Sequence, residues 1–325
     1  MAERKKHLYG PVPSRRLGRS LGVDIVPFKV CSLDCVYCQL GRTLQKTTER
    51  KDYVPIESVL AEFKQALAEG VEADFISVAG SGEPTLHARL GELIGGIKQI
   101  TNIPVGILTN GTLLFRADVR QDCARADVVM PSLDAADEAT FRRINCPCQG
   151  ISIEKVISGL CAFRDEFAGR IWLEVFFIEG MNTGRGQVTA IKEAIEQIRP
   201  DKVQLNTAVR PTADPNVRRL DTETLHEIAA LLGPHCDVIA DPSASRRGAL
   251  TDTEPGDTQQ AVTEASATTQ ALLSMLKRRP CSLNDIRAGM GLSLGDTLKH
   301  IGDLQSQGLI RAEQRGAVTF YKALP

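Results

Sequence analysis

The stretch Asp74-Phe-Ile-Ser-Val-Ala79-Gly80-Ser81-Gly82-Glu83-Pro84 decides the fold. Four of its first six residues are apolar, including Phe75, Ile76 and Val78, as in a strand covered on both faces. Glycines then allow a tight turn with close backbone approach, and a proline pre-sets the first turn of a helix. Strand, glycine-rich turn and helix make one βα unit, the building block of a parallel sheet. Taken alone, Glu83 serves equally as a ligand group in that turn or as an acidic residue favouring a helix N-terminus.

Outward from this unit the alternation repeats. Six strands are expected, over 23–30, 74–79, 104–109, 127–133, 171–178 and 202–206. Between them apolar residues recur at helical spacing, as in Val59, Phe63 and Leu67 or Val156, Leu160 and Phe163. A further helix is expected over 222–232. Six βα units are fewer than the eight of a closed barrel, so the predicted fold class is α/β, a partial (β/α)6 TIM-like barrel with its site at the C-terminal ends of the strands.

Residues 241–263 are rich in Asp, Thr, Ser, Gly and Pro without an apolar period and read as a linker between a first domain, 1–240, and a second, 264–325. The second segment predicts helices over 272–277, 282–289 and 293–307, then two short strands, 309–311 and 318–321, the pattern of a small C-terminal winged-helix domain. Its basic residues include Lys299 and Arg315, placed to meet phosphates. RNA, DNA and protein are all open as its partners.

A length of 325 residues suits one large α/β domain plus a small appendage. The net charge of -1 argues against binding nucleic acid through overall charge. No run approaches the roughly 20 apolar residues of a membrane span, and the start lacks the apolar stretch of a secretory signal, so the expectation is a cytoplasmic protein without a membrane partner. In a reducing compartment the nine cysteines are better read as thiols or metal ligands than as disulfides.

Three of them cluster in Cys31-Ser-Leu-Asp-Cys35-Val-Tyr37-Cys38, just after the first expected strand. Thiolates are the usual ligands of iron–sulfur clusters, and a four-iron cubane held by three cysteines keeps one iron open to a small molecule. A zinc knuckle is the alternative, its fourth ligand being His87, Cys146 or Cys148. Cys146 and Cys148 are also candidates for an auxiliary cluster, although two thiols are few for one.

The spacing CxxxCxxC, with aromatic Tyr37 before the last cysteine, resembles the signature of the radical S-adenosylmethionine (SAM) superfamily. The resemblance implies that Cys31, Cys35 and Cys38 ligate a 4Fe-4S cluster. It implies that SAM chelates the open iron, and that an electron from a donor such as flavodoxin or ferredoxin releases a 5′-deoxyadenosyl radical. Gly82 and Glu83 match the motif that binds the SAM amino group, with Ser81 in place of its first glycine. Asn110, at the end of the third expected strand, and Ser132 and Asp134, at the end of the fourth, are implied contacts to SAM, as is Asn182 beyond the fifth. Glu174, Gln204 and Asn206 rank below these as residues facing cofactor or substrate.

The N-terminal run 9–18, followed by Ser20-Leu-Gly-Val-Asp24, resembles an Fe-S oxidoreductase branch similar to wyosine-type tRNA synthases. Those enzymes carry further N-terminal cysteines, whereas no cysteine precedes Cys31, which argues against wyosine chemistry. Arg15, Arg16 and Arg19 suit either phosphate and carboxylate binding or a solvated basic loop. Two functions follow: a radical SAM enzyme acting on an unidentified substrate, RNA or protein among them, or an iron–sulfur or metal-sensing winged-helix regulator of DNA.

Overall fold

The computed structural model describes residues 7–14, 16–240, 261–316 and 318–324. The strands in chain order are β1 (Leu8–Ser14), β2 (Gly18–Val23), β3 (Val30–Cys31), β4 (Gln45–Lys46), β5 (Phe75–Val78), β6 (Val105–Thr109), β7 (Val128–Pro131), β8 (Arg170–Phe177), β9 (Lys202–Thr207), β10 (Cys236–Val238), β11 (Cys281–Ser282), β12 (Ile310–Arg315) and β13 (Val318–Ala323). The helices are α1 (Ile56–Ala68), α2 (Leu90–Ile100), α3 (Ala117–Cys123), α4 (Glu138–Asn145), α5 (Ile153–Glu166), α6 (Arg185–Ile198), α7 (Thr222–Leu232), α8 (Ala261–Arg278), α9 (Leu283–Met290) and α10 (Leu294–Ser306).

The main sheet runs β1-β2-β5-β6-β7-β8-β9-β10 and is parallel throughout except for antiparallel β1. This α/β architecture is consistent with a partial barrel. Alternation along each strand sorts its side chains into two layers. Ile76, Val78, Val105, Ile107, Val129, Ile171, Leu173, Val175, Val203 and Leu205 turn outward into the large core shared with the helices. On the opposite face Leu17, Val128, Met130 and Trp172, with Phe75 and Leu108, form a separate apolar plug. Above Trp172 on the inner face of β8 come Glu174 and then Phe176, two residues per step. Glu174 accepts from Arg16 at 2.5 Å and from Asn206 at 2.9 Å, so its carboxylate is paired inside the sheet's curve.

Three expectations about the sheet and its helices need correction. The strand predicted over 23–30 does not form: β2 ends at Val23, and the chain loops through Pro27 to the two-residue β3. Proline offers no ladder N–H, and Lys29 takes a left-handed φ of 59°, so neither suits an interior strand. The sheet also has three strands outside the expected set, because β1 and β2 pair on one edge and the three-residue β10 joins β9 on the other. Short or proline-bearing edge segments carry little periodic signal. The helix expected from Pro84 is a 3-10 turn, Pro84–Leu86, and α2 starts only at Leu90.

The segment read as a linker lies outside the described residues over 241–260, as does Arg15; residues 261–263 already belong to α8. Beyond it, α8 to α10 pack on a small antiparallel sheet ordered β11-β13-β12. β11 was not anticipated; its two residues, Cys281 and Ser282, carry no pattern of their own. Ser282 and Asp285 close a capping box at the start of α9. Leu272, Leu276, Cys281, Ile286, Ile301 and Leu304 form a second core, against which Val12 of β1 also packs.

Candidate active site

The site grows from the cysteine loop. Val30, Leu33 and Val36 are buried and turn the loop's apolar side inward, which leaves Cys31, Cys35 and Cys38 half-buried on its other side. Turns from Cys38 N to Cys35 O and from Gly41 N to Cys38 O, at 3.1 and 3.2 Å, curl the chain around them. The end of α4 braces the loop from outside: Val36 N donates to Ile144 O at 2.9 Å, Asp34 N to Asn145 O at 3.0 Å and Cys148 N to Ser32 O at 2.9 Å. Cys146 and Cys148 thus belong to a bracket behind the loop, Cys146 in a left-handed C-cap conformation.

Each of the three sulfurs receives one side-chain N–H from a different element. Lys29 Nζ donates to Cys38 at 3.1 Å, Asn110 Nδ2 to Cys31 at 3.5 Å and Asn145 Nδ2 to Cys35 at 3.5 Å. Lys29 itself is only 3% exposed. Burial, with Glu83 nearby, pushes the Cys31 thiol up to about 12, and burial also raises that of Cys35 well above the usual thiol range. Bare thiolates are therefore costly here, and a positively charged metal centre is what offsets that cost. Among the described residues, no three His, Cys, Asp or Glu side chains converge closely enough to hold a single ion. His87 is engaged elsewhere, with Nε2 3.0 Å from Val54 O and Nδ1 accepting from Arg89 N.

The other strand-end loops arrive at the same rim. Glu83 is 2% exposed, and its carboxylate accepts from Thr85 N, Thr85 Oγ1, Thr109 Oγ1 and Asn110 N at 2.5–3.0 Å. It acts as the anchor that joins the turn after β5 to the turn after β6, with Oε1 taking three of these bonds and Oε2 one. Gly82 is needed beside it, because a Cβ there would stand 2.2 Å from Val30 O. Asn110 bridges onward to Ser32 Oγ at 2.9 Å. Tyr37 stacks on Phe176 with ring centroids 4.0 Å apart and donates its hydroxyl to Asp134 at 2.5 Å.

Asp134 also accepts from Asn145 Nδ2 at 2.7 Å and Phe176 N at 2.9 Å; burial raises its pKa to about 6. Ser132 stands at the end of β7 opposite Glu174 of β8. Asn182 is fully buried; its amide donates to Asp134 O and Phe176 O at 2.8 Å and accepts from Ile178 N. It pins the turns after β7 and β8 together and has no surface left for a ligand. Of the lower-ranked residues, Asn206 joins Glu174 while Gln204 is buried with Oε1 unpartnered. Arg19 lies on the surface with Glu72 and Asp74, as a solvated loop residue would.

Sequence reading missed Asp24, Lys29 and Asn145. Asp24 accepts from Ser81 N at 3.1 Å and Ser81 Oγ at 2.6 Å, which accounts for serine where the motif has glycine. The signal for Asn145 was its place next to Cys146, seen only as part of a cysteine pair. Lys29 had none beyond lying two residues before Cys31.

The Radical SAM superfamily profile matches residues 25–185, from the loop after β2 to the start of α6. A protein named GTPase Obg from Brachyspira hyodysenteriae is 37% identical over 317 residues, 97% of this chain, and the chain spans 45% of that protein's length. A UPF0026 protein of Helicobacter pylori strain J99 is 30% identical over 320 residues, 97% of each. A radical SAM methyltransferase from Sphaerobacter thermophilus shares the fold with a TM-score of 0.52 at 17% identity, over 71% of this chain and 68% of that one. No described helix is long and apolar enough to cross a membrane. With the match spanning the loops that build the site and a relative aligned over nearly its whole length, the chain belongs to the UPF0026 family and to the radical SAM superfamily of enzymes, which implies a 4Fe-4S cluster and SAM as cofactors.

Proposed function

We propose that Cys31, Cys35 and Cys38 hold the 4Fe-4S cluster by three irons and that the chain cleaves SAM reductively at the fourth. The observation that carries this reading is the single N–H directed at each cysteine sulfur from Lys29, Asn110 and Asn145. When bound, cluster and SAM together supply a carbon radical able to take a hydrogen atom from a substrate.

The chain's own residues orient that chemistry. Gly82 and Asn110 line the approach to SAM, with Ser132 at the neighbouring strand end. Glu83, Asp134 and Asn182 support them by fixing the loops after β5, β7 and β8. Tyr37, stacked and hydrogen-bonded, holds the cysteine loop against β8. The proposed domains are a partial barrel, 1–240, a linker, 241–263, and a winged-helix domain, 264–325, the last supported by the order helix, strand, two helices and hairpin.

Radical SAM enzymes need a reductant, and a flavodoxin- or ferredoxin-type donor fits the one-electron requirement. The substrate class is open to RNA or protein brought by the C-terminal segment. The regulator reading gains no support from Arg315, a phosphate contact on sequence grounds, which donates instead to Val217 O at 2.8 Å and Thr212 Oγ1 at 3.2 Å.

The test is anaerobic reconstitution. Reduced protein is expected to bind about four irons per chain and to convert SAM into methionine and 5′-deoxyadenosine, both lost in Cys35→Ala. Stoichiometric zinc, or a fully loaded cluster that leaves SAM intact, would falsify the reading.

A further inference from the structure

Arg278, near the end of α8, reaches β1 and the residue that follows β2 in the main sheet. Its guanidinium lies over the Tyr9 ring with its carbon 4.3 Å from the centroid, and its Nε stands 3.5 Å from Asp24 Oδ2. Both side chains of the pair are nearly enclosed, at 13% and 11% exposure. In such surroundings one charge left without the other is strongly unfavourable. Asp24 in turn holds Ser81 by both its N–H and its hydroxyl. It packs so tightly that a Cβ on Gly80 would lie 2.2 Å from its carboxyl carbon.

Ser81 is the node where this chain of contacts enters the site. The next residues are Gly82 and Glu83, and the Ser81 carbonyl accepts from Lys29 N at 2.7 Å. Lys29 then donates through Nζ to Cys38. One arginine from the C-terminal segment is thus connected, through two side chains, to the turn that flanks SAM and to the residue bonded to a cluster sulfur. Arg210 provides a contrast. It also ties the two parts, through Asp285 at 3.1 Å, but it follows β9 and makes no contact with Asp24 or Ser81.

We propose that Arg278 and Asp24 are positioning residues for SAM, through which the C-terminal segment fixes the Gly80–Glu83 turn in its binding shape. This rests on the reading of Cys31, Cys35 and Cys38 as cluster ligands, and it gives the C-terminal segment a duty within the cofactor site, independent of any substrate it recruits.

The experiment measures the SAM dissociation constant of the full-length, cluster-loaded protein by equilibrium dialysis against labelled SAM. The change in the cluster's EPR spectrum on SAM addition is the second readout. Arg278→Gln and Asp24→Asn are each expected to weaken SAM binding about tenfold, or about 1.4 kcal/mol. The double variant is expected to weaken it no further than either single one, because both break one connection. Arg278→Lys is expected to recover part of the loss, and Arg210→Gln to bind SAM as the wild type does. Unchanged affinity in both single variants, additive losses in the double, or an equal loss in Arg210→Gln overturns the proposal. Should Arg278→Gln fail to fold, Asp24→Asn and Ser81→Ala carry the same expectation. A loaded wild-type protein that binds no SAM at all refutes the underlying functional reading instead.

Discussion

Asp134 lies beneath the aromatic ring of the cysteine loop and takes hydrogen bonds from Tyr37, Asn145 and the β8 backbone. Burial outweighs those bonds and lifts its pKa from 3.8 to about 6. A carboxyl group raised in this way favours the folded state while protonated. Its contribution is full below the unfolded value and is lost as pH rises through the folded one. The stability of metal-free wild type relative to Asp134→Asn is therefore expected to fall by about 2 kcal/mol between pH 4 and 7, a tenfold change in proton affinity being worth roughly 1.4 kcal/mol. Denaturant titrations at several pH values read this directly, and a flat difference refutes it. Lys29→Met removes a donor from the Cys38 sulfur. A more negative cluster midpoint potential is expected in an EPR-monitored redox titration, since hydrogen bonds to sulfur and nearby positive charge both favour the reduced state. The sequence displayed the cysteines and Tyr37 through their spacing. It did not display Lys29, Asp24 or Asn145, whose partners lie on other elements and are chosen only when the chain folds. For the same reason the protein donors that Glu83 and Asp134 accept from were not visible in the sequence.

Among the elements, the turn after β5 is where local sequence and tertiary packing agree most closely. Gly80 and Gly82 were legible as a turn, but the atoms that exclude a side chain come from elsewhere, Asp24 from the loop after β2 and Val30 O from β3. Gly82→Ala is expected to displace that turn, weaken SAM binding at least tenfold and cost about 1–3 kcal/mol of stability by overpacking. Dialysis and urea unfolding measure the two effects separately. A comparable contact fixes α5, where a Cβ on Gly159 would lie 2.4 Å from Phe115 N. Gly159→Ala is expected to cost stability in the same range while leaving cluster content unchanged, because the helix packs outside the sheet. The parallel strands β5 to β9 were readable because each is a short, largely apolar run. β1 and β10 were not, since a proline-bearing edge and a three-residue edge owe their pairing to their neighbours.

For the whole molecule, the composition of residues 241–263 suggested a division into a large unit and a small one, but it gave no sign of the contacts across that division. Val12 of β1, an edge strand of the main sheet, packs into the core built by α8 to α10. Arg278, Arg210 and Arg315 add three polar ties on top of that apolar contact. An edge strand shared by two cores makes the loss of one felt in the other. Leu276, 1% exposed, lies at the centre of the smaller core. Leu276→Ala is expected to cost about 2–5 kcal/mol through lost burial and the cavity left behind. Independent units would unfold in two steps, with only the weaker one moved by the substitution. Shared packing through β1 predicts one cooperative transition that shifts as a whole, with far-UV and near-UV signals coinciding. Calorimetry of wild type and Leu276→Ala separates the two cases. A second, unmoved transition from the main sheet would mean that the C-terminal segment is hung on that sheet rather than built into it.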